Sequence, residues 1–375
     1  MDFSLNDDHL ALRDAVRRFC DGEYPAEHRG NPETREQSDR RWGAMGELGL
    51  LSLPFAADFG GTGQGAIEVM LVAQELGRAL GGGAFLASTV MAGELLRRLG
   101  SPAQQRQWLP ALAAGRLQAS VALYEDGLRY HWQEAKTQAT ETLGGHVLEG
   151  RKRLVLHGDT AGLLLVAARI DGDAGLSLFA VDAHAPGVQV QGFDTLDGRR
   201  AAHVRFERVQ VGADRLLGAR GAAGEAIEAA LDAAVAALCA ESAGAVEALL
   251  ALTAEHLRTR RQFGAPLAKF QVLQHRVADM AIGLEQLKSM ACAAAMAVEA
   301  GDAARRRRLV SAAKVLASQQ GRQIALAAIQ MHGAMGMTDE CRVGHYAKRL
   351  MVIGQLLGDA AWHLRRMGTP GAAGG

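Results

Sequence analysis

The chain has 375 residues, with 41 Lys+Arg balanced by 41 Asp+Glu and a hydrophobic share of 49%. At roughly 150 residues per domain it is long enough for two or three domains around a large core. Zero net charge and a 5% aromatic share exclude a nucleic-acid binder, which needs a positive field and stacking platforms.

From residue 5 to about 117 the pattern is helical. Leu10, Leu12, Val16 and Phe19 recur at helical spacing, and Ile67, Met70, Leu71, Gln74 and Leu76 form a second amphipathic stretch. Gly60–Gly61 and Gly81–Gly82–Gly83 punctuate this block as loops. From about 118 to 224 the period shortens. Runs at 153–156, 163–168, 176–181, 188–190 and 202–206, separated by Gly and Asp, predict small antiparallel strands. From 225 onward Ala- and Leu-rich helices are predicted at 225–261, 268–299, 303–333 and 346–367. An order of helices, strands and helices is not that of an alternating parallel α/β sheet, and no GxGxxG opens a helix after a strand.

Cys20, Cys239, Cys292 and Cys341 are far apart and include no CxxC pair, so neither a zinc site nor a disulfide framework is expected. The opening MDFSLNDDHLALRDAVRRF lacks a signal-peptide run, and no stretch of about 18 uncharged apolar residues is seen. The expectation is a cytoplasmic protein with no membrane span. The run from Arg305 to Arg308 reads as a solvated helix start.

Two long motifs carry a resemblance. The first runs Arg260-Arg261-Gln262-Phe263-Gly264-Ala265-Pro266-Leu267, then Phe270-Gln271 and His275-Arg276-Val277-Ala278-Asp279-Met280. The second runs Gln330-Met331-His332-Gly333-Ala334-Met335-Gly336-Met337-Thr338-Asp339-Glu340. With Leu48-Gly49-Leu50, Phe59-Gly60-Gly61 and Asp194-Thr195-Leu196-Asp197-Gly198-Arg199-Arg200, the chain resembles the acyl-CoA dehydrogenase family over nearly its whole length. That resemblance implies an α+β fold. It has an N-terminal helical domain (1–117), a middle antiparallel β-barrel-like domain (118–224) and a C-terminal four-helix bundle (225–375).

It also implies FAD as cofactor, an acyl-CoA substrate and an electron-transfer flavoprotein as redox partner. By the family's pattern, Arg260, Gln262, Phe263, Gln271, Gln330, Gly333 and Ala334 bind the ADP half of FAD across a subunit interface, in a dimer or tetramer. Leu123, Tyr124, Val155 and Leu156 fall where the family's β-domain meets the isoalloxazine. The chemistry agrees: a pyrophosphate needs a cation or amides, and close backbone approach needs glycine.

The departures concern proton abstraction. Where the family carries its glutamate base this chain reads Gln355-Leu356-Leu357-Gly358-Asp359, so Leu357 stands at the base position; the family's other base position matches Ala234. Glu241 lies seven residues after Ala234, on almost the same helical face and about 10 Å further along. In its apolar segment it must be paired or protonated. It is the expected base of a chain that is catalytic by itself, with an ion pair to an arginine on a packed helix as the alternative. Asp359 is expected to cap a final helix beginning at Ala360. The segment 344–364 is similar to the small subunits of pimeloyl-CoA dehydrogenase-type enzymes, which pair with a large subunit of the same fold; the resemblance offers that partner as the carrier of the base. The competing readings are a silent subunit completing a partner's FAD sites and a flavin oxidase or monooxygenase.

Overall fold

A computed structural model describes residues 5–30 and 33–368. The helical block comprises α1 (Asp7–Glu23), α2 (Arg35–Glu47), α3 (Ala66–Arg78), a π-helical segment (Phe85–Ala92) running into α4 (Gly93–Leu99), and α5 (Pro102–Ala113). Strands follow: β1 (Ala119–Ala122), β2 (Gln138–Thr142), β3 (Gly145–Leu156), β4 (Leu163–Ile170), β5 (Ser177–Asp182), β6 (Val188–Asp194), β7 (Arg200–Gly212) and β8 (Leu216–Leu217). The last block holds α6 (Gly224–Thr259), a hairpin of β9 (Arg261–Gln262) and β10 (Ala265–Pro266), then α7 (Gln271–Glu299), α8 (Ala303–His332), α9 (Arg342–Gln355) and α10 (Ala360–Gly368). The α+β order expected from the sequence is the one observed.

The chain forms two compact units. One comprises Met1–Pro32, Ala66–Gly82 and Val235–Gly375; the other comprises Glu33–Gly65 and Gly83–Ala234. The second unit holds the sheet, ordered β6-β7-β3-β2-β4-β5-β8 with β1 on β4. The expectation of purely antiparallel strands is corrected at two places, because β1 and β2 both pair with β4 in parallel. Neither is joined to β4 by a tight turn, so nothing forces opposite directions. Leu148, Val166, Phe179, Val204 and Phe206 alternate inward to make its core.

In the first unit, α3 crosses α6 at backbone contact. A Cβ at Gly244 would lie 1.8 Å from the Gln74 carbonyl oxygen, and one at Gly77 would lie 2.1 Å from that of Glu241. Only glycine fits at such a crossing. On the same helix as Gly77, Glu75 is fully buried and accepts from Arg17 and Arg78, both at 2.7 Å. The Tyr346 hydroxyl donates to the Arg78 carbonyl at 2.5 Å.

Two helix expectations are corrected. The segment 346–367 is two helices, since α9 ends at Gln355 and α10 starts at Ala360. The Arg305–Arg308 run does begin α8, where Asp302 Oδ1 accepts from the Arg305 amide at 3.0 Å, but Arg306 is buried rather than solvated. The α6 helix contains an 18-residue window of mean hydropathy 1.7, long and apolar enough on length and composition to cross a bilayer, although acidic residues interrupt it and no uncharged apolar run of that length occurs. Ala, Leu and Val outweigh its few acidic residues; 72% of that window is buried, as in the core helix of a globular protein.

Candidate functional site

Arg260 directly follows the last turn of α6, and the chain then folds into the β9–β10 hairpin. Gln262 pairs with Ala265 across a two-residue turn, Phe263-Gly264, in which both residues have positive φ (54° and 75°). Such a turn suits the strand twist but is strained for phenylalanine. The strain holds Phe263 out, 89% exposed, with only an edge contact to Phe270 at 6.0 Å. The Arg260 side chain is exposed and has no hydrogen-bond partner among the described residues. Gln271, exposed, opens α7.

The second motif closes α8. Gln330 is exposed on the last turn, Gly333 adopts φ 64°, ψ −143°, a conformation open essentially to glycine alone, and Ala334 follows it, exposed. The last turn of α6, just before the first motif, meets the second motif through stacked imidazoles: the rings of His256 and His332 are 4.2 Å apart and inclined by 25°. His332 Nδ1 is fixed on the Ala328 carbonyl at 2.9 Å, and Arg260 lies one turn beyond His256. Burial, then His332 and Arg260, push the His256 imidazole below its ordinary range. An exposed cation, an exposed aromatic, three side-chain amides and a glycine cradle are thus gathered at one end of this unit.

In the sheet unit, Leu123 and Val155 are buried, Val155 within the sheet core, while Leu156 is half-buried and its carbonyl accepts from Ser120 at 2.7 Å. Tyr124 accepts the Arg153 amide through its carbonyl at 2.8 Å, and burial pushes its phenol up. A bulge between Lys152 and Val155 turns Leu154, at φ 49°, outward. Fully buried Lys152 donates to Glu125 at 2.7 Å and to the Leu123 carbonyl at 3.3 Å. Burial lowers Lys152 to about 8, against the pull of Glu125. Burial alone would raise Glu125, but the Lys152 charge and hydrogen bonds from Lys152, Thr137 and the Lys136 amide bring it below its ordinary value. The 123–125 segment is therefore held by an internal ion pair that the sequence reading did not identify. A lysine at an inward position of an alternating strand was its signal.

At the expected base, Glu241 on α6 meets Arg349 on α9 side by side. Nε donates to Oε1 and Nη2 to Oε2, each at 2.8 Å, with both residues buried. Between α9 and α10, Leu357 (φ 58°) and Gly358 (φ 116°) make a left-handed turn. Lys314, fully buried on α8, donates to the Gly358 carbonyl at 2.7 Å, and His363 Nε2 lies 3.1 Å from the Leu357 carbonyl. Asp359 accepts from the Trp362 amide at 2.8 Å, capping α10 as expected. Leu357 is buried and brings no titratable group.

Profiles of the acyl-CoA dehydrogenase N-terminal, middle and C-terminal domains match residues 6–116, 120–209 and 224–369. The chain belongs to the acyl-CoA dehydrogenase family. It is 30% identical to acyl-CoA dehydrogenase FadE27 of Mycobacterium tuberculosis, over 98% of each chain. The ChsE4–ChsE5 complex from the same species contains a chain of the same fold, with a TM-score of 0.86 and 29% identity over 99% of this chain and 100% of that one. A glutaryl-CoA dehydrogenase from Mycobacterium smegmatis, in complex with FADH2, matches with a TM-score of 0.88 over 97% of this chain and 94% of its own; at 23% identity it speaks for the fold alone.

An acyl-CoA dehydrogenase-type oxidoreductase needs a flavin, and the hairpin region fits one. Arg260 and Phe263 present charge and aromatic surface unused by their own unit, and Gly333 leaves backbone open where a Cβ would otherwise stand.

Proposed function

We propose that this chain is one subunit of an FAD-dependent acyl-CoA dehydrogenase oligomer, and that a like-folded partner supplies the proton acceptor. The observation that carries the reading is the Glu241–Arg349 pair, taken with an apolar Leu357 at the position that matches the family's base. The candidate carboxylate Glu241 is committed to two hydrogen bonds, and taking a proton would cost it that pairing. The ChsE4–ChsE5 neighbour is itself a complex of two named proteins, which supports a heteromeric reading.

FAD, when bound, supplies the hydride acceptor for α,β-dehydrogenation of the acyl thioester. Arg260 then neutralises pyrophosphate charge; Gln262, Phe263 and Gln271 line the ADP half; Gln330, Gly333 and Ala334 offer amides and open backbone. Leu123, Tyr124, Val155 and Leu156 serve the isoalloxazine through backbone groups, since the Leu123 and Val155 side chains are buried. An electron-transfer flavoprotein would be the redox partner of that flavin.

The exposure of Arg260 and Phe263 favours a cofactor shared between chains. Flavin per chain, measured on the purified oligomer by absorbance after size exclusion, tests this. Arg260→Ala should lose FAD with an affinity drop of about tenfold or more, because a charge-assisted hydrogen bond is removed. Unchanged flavin content in the variant would overturn the assignment.

A further inference from the structure

On the solvent face of the sheet, β3, β7 and β6 frame a groove of about 520 Å³ lined by Arg151, Arg153, Gln189, Gln191, His203 and Arg205, among others. Its lining follows from strand alternation: Lys152, Val204 and Phe206 point inward, so their neighbours point out. Register places Arg151 directly opposite Arg205, and Arg205 directly opposite Gln189. Like charges directly opposite on neighbouring strands repel, and the pair persists here without a shared counter-ion. Arg205 leans on Glu207 at 2.6 Å, a carboxylate that also accepts from Gln189 Nε2 at 3.0 Å, and Arg153 leans on Asp126, which itself lines the groove, at 2.6 Å. The exposed Arg151 side chain has no ion-pair or hydrogen-bond partner among the described residues. One row along, Gln191 stands opposite His203, whose ring packs on Phe193 at 4.5 Å.

We propose that this groove binds a phosphomonoester, with the unpaired Arg151 and an Arg205 that exchanges Glu207 for the ligand clamping the phosphate, and Gln191 donating from β6. Two facing guanidiniums provide forked donors suited to tetrahedral oxyanions, and a bound dianion turns their repulsion into attraction. The volume admits a ligand of nucleotide size. Free phosphate, a free nucleotide and the 3′-phosphate of coenzyme A share this chemistry.

The test is calorimetric titration of the full chain in excess FAD, in phosphate-free buffer at low salt, with inorganic phosphate, ADP and coenzyme A as probes. Binding of at least one probe is expected, about tenfold weaker in Arg151→Gln and in Arg205→Gln and unaltered in Arg220→Gln. If all three probes bind, free phosphate suffices; if coenzyme A alone binds, its 3′-phosphate is the ligand; either outcome supports the site. A second readout guards against misfolding. The probe should raise the melting temperature of the wild type more than that of either variant, and without probe Arg151→Gln should melt no lower than the wild type. No binding by any probe, or binding indifferent to both arginines, would overturn the proposal.

Discussion

Removing one member of the Glu241–Arg349 pair leaves the other charge buried without its partner, which typically costs about 3–5 kcal/mol. Glu241→Ala should therefore lower the unfolding free energy obtained from urea titration by that amount, while the double variant Glu241→Leu/Arg349→Met should recover most of it. A double variant no more stable than the single one would show that the pair is not what stabilises this contact between α6 and α9. The sequence showed half of this arrangement. Glu241 sits among Leu238, Cys239, Ala240 and Ala243, all buried, so it had to be paired or protonated. Its partner, 108 residues later, was marked only by position: Arg349 falls on the stripe of Tyr346, Leu350 and Ile353, where an arginine has no place unless it is satisfied. Lys152 and Lys314 follow the same rule, each on an otherwise apolar inward face.

At the scale of elements, the turn between α9 and α10 shows where periodicity misleads. The apolar spacing continues from 346 to 367, so the sequence reads as one helix, yet backbone strain divides it. A Cβ at Gly358 would stand 2.6 Å from His363 Nε2, and Leu357 accepts a left-handed φ because its carbonyl is held by that imidazole. The Asp359 cap was legible because capping is a local signal; the break itself depends on His363, within the same segment, and on Lys314, 44 residues before Gly358. Strands with strong alternation, such as β4 and β5, were visible, whereas exposed, polar β2 and two-residue β8 carry too little pattern.

The buried histidine of this turn gives a pH signature. Burial, then Lys314 and Arg366, lower His363 from 6.5 to about 3, only partly opposed by the Leu357 carbonyl. Below pH 6.5 the unfolded chain takes up the proton while the folded chain does not, so stability falls as pH drops from 6.5 toward 3. Between pH 7.5 and 5 the loss from this group should be about 2 kcal/mol, read from urea midpoints. His363→Gln should remove that part of the slope; an identical slope would contradict the assignment.

At the scale of the whole molecule, the family and domain order were legible because two long motifs and a helix–strand–helix texture are both properties of sequence. The grouping of α1 and α3 with the C-terminal helices, apart from α2, α4 and α5, was not; for α3 it goes with the glycine crossing at Gly77 and Gly244. How the chain obtains a proton acceptor is a question for the assembly, since Leu357 cannot serve and Glu241 is engaged. The most direct measurement is anaerobic reduction of bound flavin by a panel of acyl-CoA thioesters, for the chain alone and for the chain co-expressed with a like-folded subunit that carries an intact glutamate. The chain alone should leave its flavin oxidised, in wild type and Glu241→Gln alike, and the two-subunit enzyme should bleach it. Rapid bleaching by the wild-type chain alone, slowed 10²–10⁴-fold by Glu241→Gln at matched flavin content and melting temperature, would contradict this and make Glu241 the base.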